Sequence, residues 1–128
     1  MYSSPLQAYE TVNKTTMSGH EVEASVLNQA ALKLKECQES WDTDDRDEML
    51  EEALTFNQQI WSILQGELLK ADNPLPKQIR QNLLALSAFI DKRIFETMAF
   101  PSPEKLNIVI DINRNIAAGL IEADSAER

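Results

Sequence analysis

Residues 48–69, EMLEEALTFNQQIWSILQGELL, decide the fold. Leu50, Ala53, Leu54, Asn57, Ile60, Trp61, Leu64 and Leu68 recur at i, i+3, i+4 and i+7, the period of an amphipathic helix. The pattern predicts one helix from about Asp45 to Lys70. Carboxylates at Asp42, Asp44, Asp45, Asp47 and Glu48 crowd its start, where they suit the positive end of the dipole and can cap it. The Gly and terminal Glu of a calcium loop are not at their spacing, so the run reads as a helix start rather than a metal site.

Downstream, ADNPLPKQ (71–78) stops this helix, and Pro76 suits the first turn of the next. So tight a connection predicts antiparallel neighbours. The following helix, Pro76 to about Met98, is apolar on more than one side. Ile79, Leu83, Leu86, Ile90 and Ile94 form one face, Leu84, Ala88 and Phe95 a second, and Phe89 the other flank. That breadth predicts burial on more than one side, hence the central element. FPSPEK (100–105) ends it, with Ser102 as N-cap and Pro103 opening a last helix to about Glu122.

Upstream, Ser18 and Glu21 form a capping box for a helix reaching about Ser40. Its apolar face is Leu27, Ala30, Ala31, Leu34 and Cys37, and Trp41 reads as a core lid at the end, ahead of a partner contact. Leu6, Tyr9 and Val12 mark a docking helix, Pro5 to Thr15, within residues 1–17. Residues 123–128 form a polar tail expected to fray. The expected fold is all-α: a single domain over residues 1–128, a compact antiparallel bundle of about five helices with its central helix near residues 76–98.

The chain has 128 residues, a net charge of −9 and a pI near 4.5. That balance argues against nucleic-acid binding through phosphate neutralisation and against adsorption to an anionic membrane. No signal peptide and no run approaching ~18 apolar residues is present, which predicts a cytoplasmic protein. Cys37 is the only cysteine and lies on an apolar face. His20, the only histidine, falls in a helix's first turn without a catalytic partner. No phosphate loop, dinucleotide fingerprint or zinc spacing occurs. The expectation is a non-enzyme with no cofactor and no metal.

Two polar residues interrupt apolar stripes. Asn57 lies between Leu50 and Leu64, and Asn113 between Leu106 and Leu120, each one heptad away. A buried amide without partners costs about 1–3 kcal/mol, so the two either bond each other or reach the backbone of a neighbouring helix. They read as register-setting groups ahead of partner contacts. On the same projection Asn115 faces solvent and Arg114 a flank, both candidate surface contacts. Gly119 reads as a helix-ending or close-packing position. Arg93 borders an apolar face, within reach of carboxylates near Asp91 or of Asp111.

RNIAAGL (114–120), ALTFNQQIWSIL (53–64), NPLP followed by IRQNLLALSAFIDKR, AYETV and SGHEVEASVL stand in the order and spacing of the FlaF family of flagellar biosynthesis regulators, which the chain resembles over nearly its whole length. His20 departs from the pattern, which has Arg there. The resemblance implies a factor needed for flagellin production and filament assembly. It would act with FlbT, a regulator that restrains flagellin translation, and would bind flagellin as an adaptor or secretion chaperone. Flagellin's amphipathic terminal helices suit helix-in-groove binding. The candidate groove is Leu84, Ala88, Phe95 and Ile108, unless the first helix covers it. The alternatives are a purely regulatory protein that binds FlbT and not flagellin, and, with its cations dispersed, a binder of flagellin messenger RNA. Oligomeric state is left open.

Overall fold

The computed structural model describes residues 19–126. The expected first helix, with Leu6, Tyr9 and Val12, and the Ser18 cap lie outside the described residues. Four α-helices follow: α1 (Gly19–Glu39), α2 (Arg46–Leu68), α3 (Lys77–Ala99) and α4 (Asn107–Ala126), with a 3₁₀ turn (Pro103–Leu106) before α4. The all-α class holds, with four helices among the described residues rather than about five. Helix α4 runs past Glu122 to Ala126, so the chain stays helical where a frayed tail was expected.

Helix starts differ from expectation in how they are capped. Asp45 occupies the N-cap of α2 but makes no side-chain capping bond, while Asp47 and Glu48 lie in the first turn. Arg46 Nε sits 2.7 Å from Asp47 Oδ1. Pro76 stands at the N-cap of α3 rather than inside it. Ser102 makes no backbone capping bond; its hydroxyl donates to Glu104 Oε2 at 2.7 Å and holds that carboxyl below its ordinary pKa.

Helix α1 is the centre of the bundle. Val22, Ala24, Val26, Leu27, Ala30, Ala31, Leu34 and Cys37 are all buried, and α1 packs on both α4 and α2. The expectation of a central helix near residues 76–98 is therefore wrong. Helix α3 buries only Ser87, Ile90, Ile94 and Thr97, and packs on α2 and the 3₁₀ turn. Ile79, on its predicted core face, is 46% exposed. The reason is size: three buried alanines let backbones approach α1 closely on two sides, whereas the broad apolar surface of α3 has no second helix against it among the described residues.

Gln38 Nε2 at the end of α1 donates to Pro103 O (2.8 Å) and Asn107 Oδ1 (2.7 Å) at the start of α4, so these helices run in opposite directions. Lys33 Nζ lies 3.7 Å from Glu52 Oε1, which sets α2 against α1 in the same opposed sense. Helices α2 and α4 consequently run alike on either side of α1. Residues 69–76 span at most about 29 Å, less than the ~34 Å length of α2, so α3 turns back along α2. Trp41 packs half-buried against the core, with the Arg46 guanidinium 4.6 Å from its ring.

Candidate functional site

The interior holds a continuous polar ladder across three helices. Asn57 Nδ2 donates to Ala30 O of α1 (3.1 Å) and to Ala53 O of its own helix (2.9 Å). Asn113 Nδ2 of α4 donates to Asn57 Oδ1 at 2.6 Å. Trp61 Nε1 completes the chain by donating to Asn113 Oδ1 at 2.8 Å. Asn57 and Asn113 have no solvent exposure and Trp61 has almost none. Both options left open by the sequence occur together, since the amides bond each other and a neighbouring backbone. Trp61 as the third member escaped sequence reasoning; its place four residues after Asn57 was the available signal.

A second polar cluster joins α2 to α3. Gln65 Nε2 donates to Ser87 Oγ and, at 3.1 Å, to Asp91 Oδ2, while the other Asp91 oxygen is buried without a partner. Thr97 Oγ1 donates to Arg93 O at 2.7 Å. No periodic pattern marks Gln65, Ser87 or Thr97, which is why they were missed. Arg93 lies 3.9 Å from Glu96 and does not reach Asp111.

Leu84, Ala88 and Phe95 share one flank of α3 with Asp91, whose carboxylate reaches Gln65 of α2. Leu84 is half-buried and Ala88 exposed, while Phe95 is 75% exposed and Met98, on the edge of the same flank, 45%. Ile108, at 39%, belongs to α4, where it shares a flank with the exposed Asn115. Arg114 is also exposed and makes no ion pair among the described residues. The three α3 residues thus form a strip along one helix, with Ile108 on a separate element. Gly119 lies inside α4, exposed, with open space where a Cβ would stand, so it neither ends the helix nor permits a close approach.

A pocket of about 160 Å³ lies at the bundle end where α2 gives way to α3. Leu27, Leu64, Leu68, Leu83, Ile116 and Leu120 contribute to its wall. The sequence places Leu27, Leu64, Leu68, Leu83 and Leu120 on apolar stripes, and nothing in it shows that they fail to close on one another. Cys37 is buried and its thiol is pushed up in pKa by that burial, partly opposed by the Arg46 charge. Among the described residues no group of three or more His, Cys, Asp or Glu could hold a metal ion, and no helix is long and apolar enough to cross a membrane.

The family model of flagellar protein FlaF matches residues 5–120. The chain belongs to the FlaF family. No curated protein and no solved structure matches it. The region shared with FlaF contains the ladder, the exposed α3 strip and the pocket, so all three lie within the family domain.

Proposed function

We propose that this FlaF-family protein promotes flagellin synthesis or export by binding flagellin as an adaptor or secretion chaperone, in the cytoplasm and beside the translational regulator FlbT. The observation that carries the reading is the strip of half-buried Leu84 and exposed Ala88 and Phe95 on a helix that buries little of itself. An apolar helix face of this kind can cover the apolar face of a client's amphipathic helix and so delay its polymerisation. Ile108 extends the candidate surface onto α4, with Arg114 and Asn115 as polar contacts at its margin. Asn57 and Asn113 set helix register and stay out of the partner contact, being without solvent exposure.

The test is co-purification of the full chain with flagellin and with FlbT separately, measuring the size of each complex and repeating both with Phe95→Asp. Flagellin capture that the substitution abolishes, in a protein with unchanged helical content, supports the proposal. Capture of FlbT alone assigns the purely regulatory role, and flagellin capture indifferent to Phe95→Asp removes the strip. A gel shift with flagellin messenger RNA at physiological salt is expected to show no complex.

A further inference from the structure

The charge of α3 is opposite to that of the protein. Lys77, Arg80, Lys92 and Arg93 outnumber Asp91 and Glu96, making it the one net-positive helix among the four described, in a chain of net −9. Among the described residues Lys77 and Lys92 have no ion-pair or hydrogen-bond partner, and both are exposed. Lys92 stands one helical turn from both Ala88 and Phe95, and Lys77 lies two turns before Leu84. Two unpaired ammonium groups therefore border the apolar strip. Of the nearby carboxylates, Asp91 is half-buried and accepts from Gln65 of α2 through one oxygen, and Glu96 lies 3.9 Å from Arg93.

We infer that the α3 strip docks an amphipathic helix whose apolar seam is flanked by Asp and Glu, with Phe95 as the buried anchor and Lys77 and Lys92 selecting the acidic flanks. The inference rests on the reading of this strip as the partner surface and adds the chemistry of the partner. From Leu84 to Phe95 the strip extends about 17 Å, room for about three turns of a bound helix, and Lys77 lies about 10 Å before its start. The net charge of the whole protein favours a basic ligand, so a preference for acidic flanks can come only from the local field of α3.

Two synthetic helical peptides of equal length, with the same Leu/Phe seam and either Glu or Lys flanks, separate these effects when titrated by fluorescence anisotropy against the full chain. At low salt the Glu-flanked peptide is expected to bind about tenfold tighter, and the advantage should shrink to about twofold near 0.5 M salt. The Lys77→Glu/Lys92→Glu double variant should reverse the order, and Phe95→Asp should remove binding of both peptides. A wild-type preference for Lys flanks, an unchanged order in the double variant, or no binding of either peptide overturns the inference. So does self-association in light scattering that Phe95→Asp abolishes, since a second copy is then the occupant. Glu-flanked peptide bound without flagellin capture would remove the flagellin reading and leave this one standing. Flagellin captured equally well by the double variant would do the reverse.

Discussion

Replacing Asn113 with Leu tests the ladder most sharply, because Leu keeps the branched shape and removes only the polar chemistry. Asn113→Leu deprives Asn57 Oδ1 and Trp61 Nε1 of their partners inside the core. Two orphaned buried groups cost about 2–6 kcal/mol together, at about 1–3 each. Burying Leu in place of the amide returns about 1.5–3 kcal/mol, leaving a net loss of about 1–3. Asn57→Leu orphans Asn113 Nδ2 but spares the Ala30 and Ala53 carbonyls, which lie within helices, so its expected loss is smaller, about 0–1.5 kcal/mol. In the double variant only Trp61 Nε1 remains unpaired, and the two changes should cost less together than their sum by about 2–6 kcal/mol, two orphaned groups at about 1–3 each being removed. Urea unfolding followed by far-ultraviolet circular dichroism measures all four corners of the cycle without relying on the altered Trp61 environment. Losses additive to within about 0.5 kcal/mol, or a stabilised Asn113→Leu single variant, would refute the coupled ladder.

Gly119→Ala should stabilise the protein by about 0.5–1 kcal/mol, because a mid-helix Cβ there meets open space; a lower thermal midpoint would contradict this. The Cys37 thiol should react with a disulfide reagent far more slowly in the folded than in the urea-unfolded chain. Its raised pKa also fixes a sign: the unfolded thiol loses its proton first, so the stability due to Cys37 is complete below the unfolded pKa of about 8.5 and falls as pH rises above it. Cys37→Ala should flatten that alkaline decline in urea midpoints. Amide hydrogen exchange should protect α3 less than α1, since α3 is held by one helix and a small polar cluster; equal protection would show that the four helices open as one unit.

Periodicity marked the first three described helices to within about two residues and the last to within about four, because each has a stripe that must be buried and a Pro- or carboxylate-rich boundary. It also singled out Asn57 and Asn113, since a polar residue inside an apolar stripe demands a partner. It misplaced the centre of the bundle. Apolar breadth on α3 carried more weight in the sequence than the alanines of α1, yet close approach depends on the small residues. Leu84, Ala88 and Phe95 were legible as a second face, but whether such a face meets another helix or solvent depends on a neighbour that pattern alone does not supply. Gln65, Ser87 and Asp91 stayed hidden for a related reason: each is an ordinary surface residue until α2 and α3 are brought together.

The pairing of α1 with α4 has a consequence for how the protein is made. The most extensive contact in the bundle joins its first and last described helices, and Gln38 meets a partner in Asn107, 69 residues further on. During synthesis α1 and α2 can form a hairpin as soon as both have emerged. The side of α1 that meets α4 then has no partner among the described residues until α4 arrives, and α3, which contributes little to the core, is made in the interval. Folding to completion is thus tied to the last quarter of the chain, and nascent chains halted before Asn113 expose Ala30, Leu34 and an unanswered Asn57 to whatever else is nearby.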